Sequence, residues 1–532
     1  MPEPRRRRSG AALAVAAGIL LSRIAGLIRQ RVFARYLGTS DAADAFTAAF
    51  RIPNFLQNLL GEGTLSGSFI PVYARLLAEG DEEGAGRVAS TVATLLALLV
   101  GVLTLLGVVA APVIVAVVAP GFRGDVRALT VTLVQVMFPG IGLLALSAWC
   151  LGVLNSHRRF FTSYVAPVLS SAAIIATLIV FGRQVVLGDR AGQFRLAVWV
   201  GWGTVAGALL QLALLAPSAI ALVHRGASRL RASLALGLPS VRTVLRNFGP
   251  VVASRGVVQL SAFIDQALAT LIGANANAAM GYAQTIYVVP VSLFGMSVSA
   301  AELPEMSGTV GSTDEVAQAL RGRLASAMRR IAFFVVPSAA AFLALGDVVV
   351  GALFETGAFH RGDTVFVWMI LAGSTVGLLA TTQSRLFSSA FYALHDARTP
   401  LRFAIVRVVL TALLGGAAAL ASIVGWLPAH FGAAGLTASA GLAGWLEFAL
   451  LRRALVARIG HFPVGGATLA RLWAAATMAA AAGFGIKHAL PPLHPIAVGA
   501  ASLGAFGAVY LALAIALGVD EARDALRRLT RR

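Results

Sequence analysis

The sequence predicts an all-α polytopic membrane protein of about fourteen transmembrane helices, arranged as two pseudo-symmetric six-helix lobes plus two C-terminal helices. Three features predict it: the composition, apolar runs of bilayer length, and an internal repeat. Of 532 residues, 58% are hydrophobic and 12% charged, against roughly 25% charged in soluble domains. Mean hydropathy is +0.82. Water is the wrong solvent for most of this surface, and no long polar linker separates the apolar runs, so they are expected to pack as one membrane body.

About 20 apolar residues cross a hydrocarbon core of roughly 30 Å. On that rule a first set of spans lies near 10–36, 43–74, 88–119, 129–154, 160–182 and 196–223. A second set lies near 245–273, 278–304, 324–353, 364–392, 401–425 and 430–451, followed by 469–490 and 494–518. The resulting plan has a basic cytoplasmic N-terminus (1–9), an N-lobe (10–223), a cytoplasmic inter-lobe linker (224–244), a C-lobe (245–451), helices thirteen and fourteen with their preceding loop (452–518), and a basic cytoplasmic tail (519–532).

The formal net charge of +20 does not point to nucleic acid, because the arginines are spread between apolar segments instead of gathered on one domain with interleaved aromatics. Topology explains them. With a cytoplasmic N-terminus, one side receives RRRR (5–8), NSHRRF, HRGASRLRASL, RGRLASAMRR, HDARTPLR, LRRALVARIG and RDALRRLTRR, as the positive-inside rule requires. Both termini are therefore expected in the cytoplasm. The start, MPEPRRRRSG before AALAVAAGILL, imitates a signal peptide, but the helix runs on through Arg23 without a clear cleavage site. The single cysteine, Cys150, excludes an intramolecular disulfide and a thiolate metal cluster.

The repeat appears when the two sets of six are aligned. PGFRGD (120–125), leading to VLNSHRRFFTSYVAP, matches GAFHRGD (357–363), leading to ALHDARTPLRF, and Ser22-Arg23 is echoed by Ser254-Arg255. Duplicated helical bundles are the architecture of transporters that bind substrate near mid-membrane.

A charged side chain at mid-bilayer costs at least about 2.5 to 3.5 kcal/mol, so those present usually face a cavity. The first span carries Arg23 and Arg29, about 9 Å apart at 1.5 Å per residue, while Arg31 and Arg35 near its far end are read as snorkelling. The second span holds Asp44, Arg51 and Glu62 with helix-breaking Pro53, Gly61, Gly63 and Pro71, the pattern of a bent gate or of acids that neutralise nearby arginines. The seventh carries Arg255 and Asp265, the eighth ends near Glu302, and Arg385 interrupts the tenth. If Arg23, Arg29, Arg51, Arg255 and Arg385 converge, they line a cationic chamber suited to an anion, since the guanidinium fork binds phosphate oxygens bidentately and stays charged. All but one of the 43 basic residues are arginine, so the preference over lysine adds little. Asp44, Glu62, Asp265 and Pro53 are the gating or charge-balancing candidates. Asp265 doubles as a candidate ion ligand.

No nucleophile elbow, Walker A loop, HExxH or paired catalytic carboxylates occur. The histidines, including His157, His360 and His430, are scattered in loops. No enzyme activity, cofactor or resident metal is expected.

The block SRIAGLIRQRVFARYLGTSDAADAFTAAFRIPNFLQNLLGEGTLSGSFIPVYARLL closely resembles the MurJ (MviN) family, the lipid II flippases of peptidoglycan synthesis. APGF (119–122), LGVLNSHRRF (151–160), FETGAF (354–359) and FYALHDARTP (391–400) extend the resemblance through nearly all of the chain. It implies membership of the superfamily of multidrug, oligosaccharidyl-lipid and polysaccharide exporters. By resemblance, Arg23 and Arg29 match the family's first-helix cavity arginines, Asp44 and Glu62 its acidic positions in the second helix, and spans 469–490 and 494–518 the pair that builds a groove for the polyprenyl tail. The chain departs from the pattern at Gln57, where a cavity arginine is usual, and at YAQTI, where Gln284, Thr285 and Val288 replace the family's charged residues. Arg255 is placed to supply the missing charge from the neighbouring helix.

The implied function is a flippase moving lipid II, or a similar polyprenyl-pyrophosphate-linked precursor, from the cytoplasmic to the periplasmic leaflet of the bacterial inner membrane by alternating access, without nucleic-acid partners. Membrane lipids and a coupling cation are the other expected partners, and a membrane potential worth about 2.3 kcal/mol per charge per 100 mV is available to reset a cationic cavity. The competing readings are a flippase for another polyprenyl-pyrophosphate-linked glycan, a cation antiporter of the same superfamily, a membrane glycosyltransferase, and a non-transporting scaffold of envelope synthesis.

Overall fold

The structure, a computed structural model, describes residues 5–530 apart from 61, 158, 187, 225–230, 308–312, 395, 464 and 492; the side chains of some helical residues, Glu62 and Arg255 among them, also lie outside the description. Its contacts divide the chain into two compact units, 1–270 and 271–532. The described residues are helical, with one isolated β-bridge between Thr356 and Phe359.

The first unit runs through α1 (Arg5–Leu37), α2 (Asp41–Leu60), α3 (Glu62–Ser68), α4 (Ile70–Ala78), α5 (Glu82–Val109), α6 (Ala111–Val118), α7 (Gly124–Ser156), α8 (Phe160–Gly182), α9 (Arg190–Val223) and α10 (Pro239–Ile272). The second continues with α11 (Ala276–Pro290), a π-helical turn (Val291–Met296), α12 (Ser297–Ser307), α13 (Thr313–Ala344), α14 (Gly346–Phe354), α15 (Arg361–Thr375), α16 (Leu378–Ala393), α17 (Arg398–Ile423), α18 (Ala429–Ile459), α19 (Gly466–Ala489), α20 (Pro495–Ala516) and α21 (Asp520–Thr530).

Nine helices among the described residues, α5, α7, α8, α9, α13 and α17 to α20, are long and apolar enough to cross a bilayer, and the α15–α16 pair, bent by 43°, makes ten. Their outer faces are apolar: Leu105 on α5 is 67% exposed and Leu413 on α17 66%. Water would not tolerate so much exposed aliphatic surface, whereas lipid does. The expected second span, 43–74, is three helices, with a break at Phe69 where Pro71 opens α4. The expected span 278–304 is α11 and α12 joined by the π-turn directly after Pro290. Proline lacks the N–H that a continuing helix requires, and π-turns of this kind recur at functional sites.

The repeat motifs sit at equivalent places within the two units. In each, a long helix leads to a short one, a turn with a left-handed glycine, and a further helix. Gly124 (φ +53°) in the first loop and Gly357 (φ +59°) in the second supply the turn that other residues rarely adopt.

In the second unit Asp347, whose side chain is 3% exposed, is met by Lys487 Nζ at 2.8 Å and Arg361 Nη2 at 2.6 Å. The only lysine of the chain thereby ties α19 to α14. Tyr510 on α20 donates to the Phe333 carbonyl at 2.6 Å, and Arg329 pairs with Glu521 at 3.2 Å. These bonds attach the last three helices to α13 and α14.

The turn at Gly377, just before α16, touches α18 backbone to backbone. A Cβ on Gly377 would lie 2.3 Å from Gly441 Cα, and one on Gly441 2.6 Å from Gly377 N. Backbone cannot move aside as a flexible side chain does, so Gly441→Ala is expected to lower the thermal midpoint in detergent by several degrees. Gly416→Ala, with nothing within 4 Å, should leave it unchanged.

The ALHDARTP loop is held by Asp396, which accepts from Thr399 Oγ1 (2.7 Å), Thr399 N and Arg398 N (both 3.0 Å) and pairs with Arg458 at 2.6 Å. The Thr399 hydroxyl and backbone bonds, with Arg458, hold its carboxyl below the usual carboxylate range. A depressed folded value contributes stability that is complete above the unfolded value of about 3.9 and lost as pH falls through the folded value. Thermal midpoints between pH 7 and pH 3 are expected to fall less steeply in Asp396→Ala than in the parent.

Candidate functional site

Within the first unit, Arg29 of α1 meets α2 and Arg51 of α2 meets α10. On α1, Arg23 is exposed and Arg29 half-buried. The Arg29 guanidinium lies over the Phe50 ring, 5.8 Å from its centroid. Phe50 stacks on Phe46 at 5.7 Å, and Phe46 meets Phe33 of α1 at 5.1 Å. This aromatic ladder bridges α1 and α2 and gives Arg29 a π-face.

The next residue, Arg51, turns to α10. Its Nη1 donates to the Ala262 carbonyl at 2.9 Å, and the Asp265 carboxylate, one turn along, lies within electrostatic reach. Gln266 Nε2 donates to the Ala48 carbonyl at 3.4 Å, and Phe55 packs edge-on against Phe263 at 4.8 Å. Residues 48, 51 and 55 are a helical stripe at i, i+3 and i+7. Sequence reasoning named Arg51 and Asp265 separately, and the structure brings them together.

Asp44 is 1% exposed in the first turn of α2, where the helix dipole favours a carboxylate. Pro53 is buried within α2, which costs the helix one backbone bond. Gln57 is half-buried, Gln284 exposed, and Thr285 bonds back to the Gly281 carbonyl at 3.0 Å. Glu302 balances Arg323 (3.5 Å) and Arg330 (3.8 Å). The Glu62 and Arg255 side chains lie outside the described residues.

Arg385 belongs to the second unit, where its charged neighbours are Arg407 of α17 and Glu447 of α18. Arg407 Nη1 is 3.3 Å from Glu447 Oε2. Sequence reasoning missed this pair, although both residues interrupt apolar runs, FAIVRVVL and GWLEFAL, and mid-span charge was the available signal.

A family model described as "Lipid II flippase MurJ" matches residues 33–498. The chain belongs to the MurJ family. A "Probable lipid II flippase MurJ" of Rhizobium meliloti (strain 1021) is 31% identical across 95% of this chain and 93% of its own length. The "Lipid II flippase MurJ" of Burkholderia cenocepacia is 29% identical over 96% and 97%. Among solved structures, "Lipid II flippase MurJ, inward closed conformation" aligns with a TM-score of 0.75 at 21% identity, over 94% of this chain and 98% of that one. An inward-facing multidrug-resistance MATE transporter of the MOP superfamily aligns at 0.63 and 19% identity, over 84% and 98%. This MurJ-family chain is a multi-pass membrane protein and not an enzyme.

Removing one member of two interacting opposite charges leaves the other less compensated. Asp265→Ala alone is therefore expected to destabilise the detergent-solubilised protein more than the Arg51→Ala/Asp265→Ala double variant. A double variant that melts below both single variants would show the two charges to be independent.

Proposed function

We propose that this chain is a lipid II flippase of the bacterial inner membrane, with both termini cytoplasmic, that moves the headgroup by alternating access through a cationic cavity. The family match over residues 33–498 carries the reading, supported by relatives named as lipid II flippases along nearly their whole length. The first-unit arginines support the cationic part. Arg29 is held by an aromatic face and Arg51 by a carbonyl with one nearby carboxylate, so both are positioned while the positive charge of Arg29 stays unneutralised by that face. Pyrophosphate oxygens are the complementary chemistry for such guanidiniums.

In this mechanism Arg23 and Arg29 engage the pyrophosphate as the headgroup enters from the cytoplasmic leaflet, with Arg255 and Arg385 as further contacts. The interrupted α2–α4 stretch, with Pro53, is the element that bends, and Asp44 and Glu62 balance charge as it moves. The α19–α20 pair carries the lipid tail. A coupling cation, with Asp265 among its ligands, or the membrane potential resets the cavity.

The test is rescue of cells depleted of their own lipid II flippase. The parent gene is expected to restore growth, and Arg23→Ala and Arg29→Ala to abolish rescue at unchanged membrane levels. Full rescue by both variants would refute the cationic pathway. Failure of the parent, correctly inserted, would point to another polyprenyl-pyrophosphate-linked cargo or a non-transporting role, readings that the Gln57 and Gln284 departures keep open.

A further inference from the structure

Three helices of the second unit each carry one charge into an apolar stretch: Arg385 on α16, Arg407 on α17 and Glu447 on α18. The Arg458–Asp396 pair, 2.6 Å apart, marks a common end of these helices. Measured from that end at 1.5 Å per residue, Arg385 lies about 12 Å along its helix, Arg407 about 14 Å and Glu447 about 18 Å. The three charges therefore share a depth.

Arg407 and Glu447 are in contact at 3.3 Å, with side chains 29% and 8% exposed. Arg385 interacts electrostatically with both, repelled by one and attracted by the other. Tyr287 of α11, hydrogen-bonded to the Thr381 side chain, lies within reach of both arginines. Beside Arg385, the Ser384 hydroxyl is 3% exposed with no hydrogen-bond partner.

A strut between α17 and α18 needs one guanidinium. A second one, the exposed Arg385, sharing the same carboxylate leaves a net positive charge within an apolar helix and adds like-charge repulsion. An anion with several oxygens relieves both, because two planar forks can grip it bidentately. We propose that Arg385 and Arg407 form a binding site for a phosphate or pyrophosphate group, with Glu447 as a built-in counter-ion that holds Arg407 while the site is empty and is displaced by the ligand. The assignment of a pyrophosphate-bearing cargo to this site rests on the function proposed above. Glu447 then acts as a selectivity element: a monoanionic carboxylate cannot displace it, and a multiply charged pyrophosphate can. It also speeds release, since the internal anion competes for Arg407.

The experiment uses the full chain in nanodiscs with inorganic pyrophosphate as probe and calorimetry as readout. Glu447→Gln is expected to bind at least tenfold more tightly than the parent, and Arg385→Ala and Arg407→Ala at least tenfold more weakly. The charge-swapped Arg407→Glu/Glu447→Arg protein should recover the parent's thermal midpoint and not its affinity. Unchanged affinity in Arg385→Ala and Arg407→Ala, or a swap that restores binding along with stability, would show a purely structural pair and overturn the proposal. Preloading the nanodiscs with a polyprenyl pyrophosphate separates the sources: competition assigns the site to the lipid-linked group, and its absence to free phosphates. Rescue of flippase-depleted cells is scored in parallel. Failed rescue by the parent with Arg385-dependent binding intact would sink the cargo assignment alone, and normal rescue with no such binding would sink this site alone.

Discussion

An ionised side chain in a hydrocarbon-like interior must be given a partner by the protein, and that requirement organises the interior of both units. Arg51 finds a helix carbonyl and Asp265, Arg407 finds Glu447, and Asp347 finds Lys487 and Arg361. Each partnership crosses from one helix to another. The same bond that satisfies a charge therefore fixes how two helices meet, and apolar packing, which has no preference between lipid and protein neighbours, does not have to specify it alone.

Backbone groups obey the same rule. Where a helix is interrupted, at Phe69 ahead of Pro71 or in the π-turn after Pro290, freed carbonyls and N–H groups must be met by protein neighbours. Interruptions fall in the expected second and eighth spans and, at the 43° bend between α15 and α16, in the tenth, while α7, α9 and α17 to α20 run unbroken.

Much of this was legible before any coordinates. The uninterrupted spans follow from the length of the apolar runs, and the repeat follows from the match of PGFRGD with GAFHRGD. The candidate arginines of the first two spans were visible as charges in apolar sequence. What sequence could not show is pairing. Arg51 and Asp265 are more than two hundred residues apart, so nothing local links them. Glu447 was overlooked since a single acid among aliphatics reads as incidental until Arg407 is seen 3.3 Å away. The breaks inside the spans 43–74 and 278–304 were only half legible: proline announces a kink, but not whether the chain resumes as one helix or as several.

The partners differ in how much charge they cancel, and that difference separates structure from function. Asp347 receives two cations and is fully committed to holding α19 and α14 together. Arg29 rests on the face of Phe50, which orients a guanidinium without neutralising it, and Arg385 shares one carboxylate with Arg407. A protein that needed these arginines only as struts would give each its own acid, as Arg323 has Glu305 and Arg330 has Glu302. Cations fixed in place and left undercompensated raise the affinity of the interior for an anion, and the cost of keeping them so is repaid only when one arrives. The charge imbalance is thus the part of the architecture that apolar packing does not explain, and the anionic cargo proposed above accounts for it.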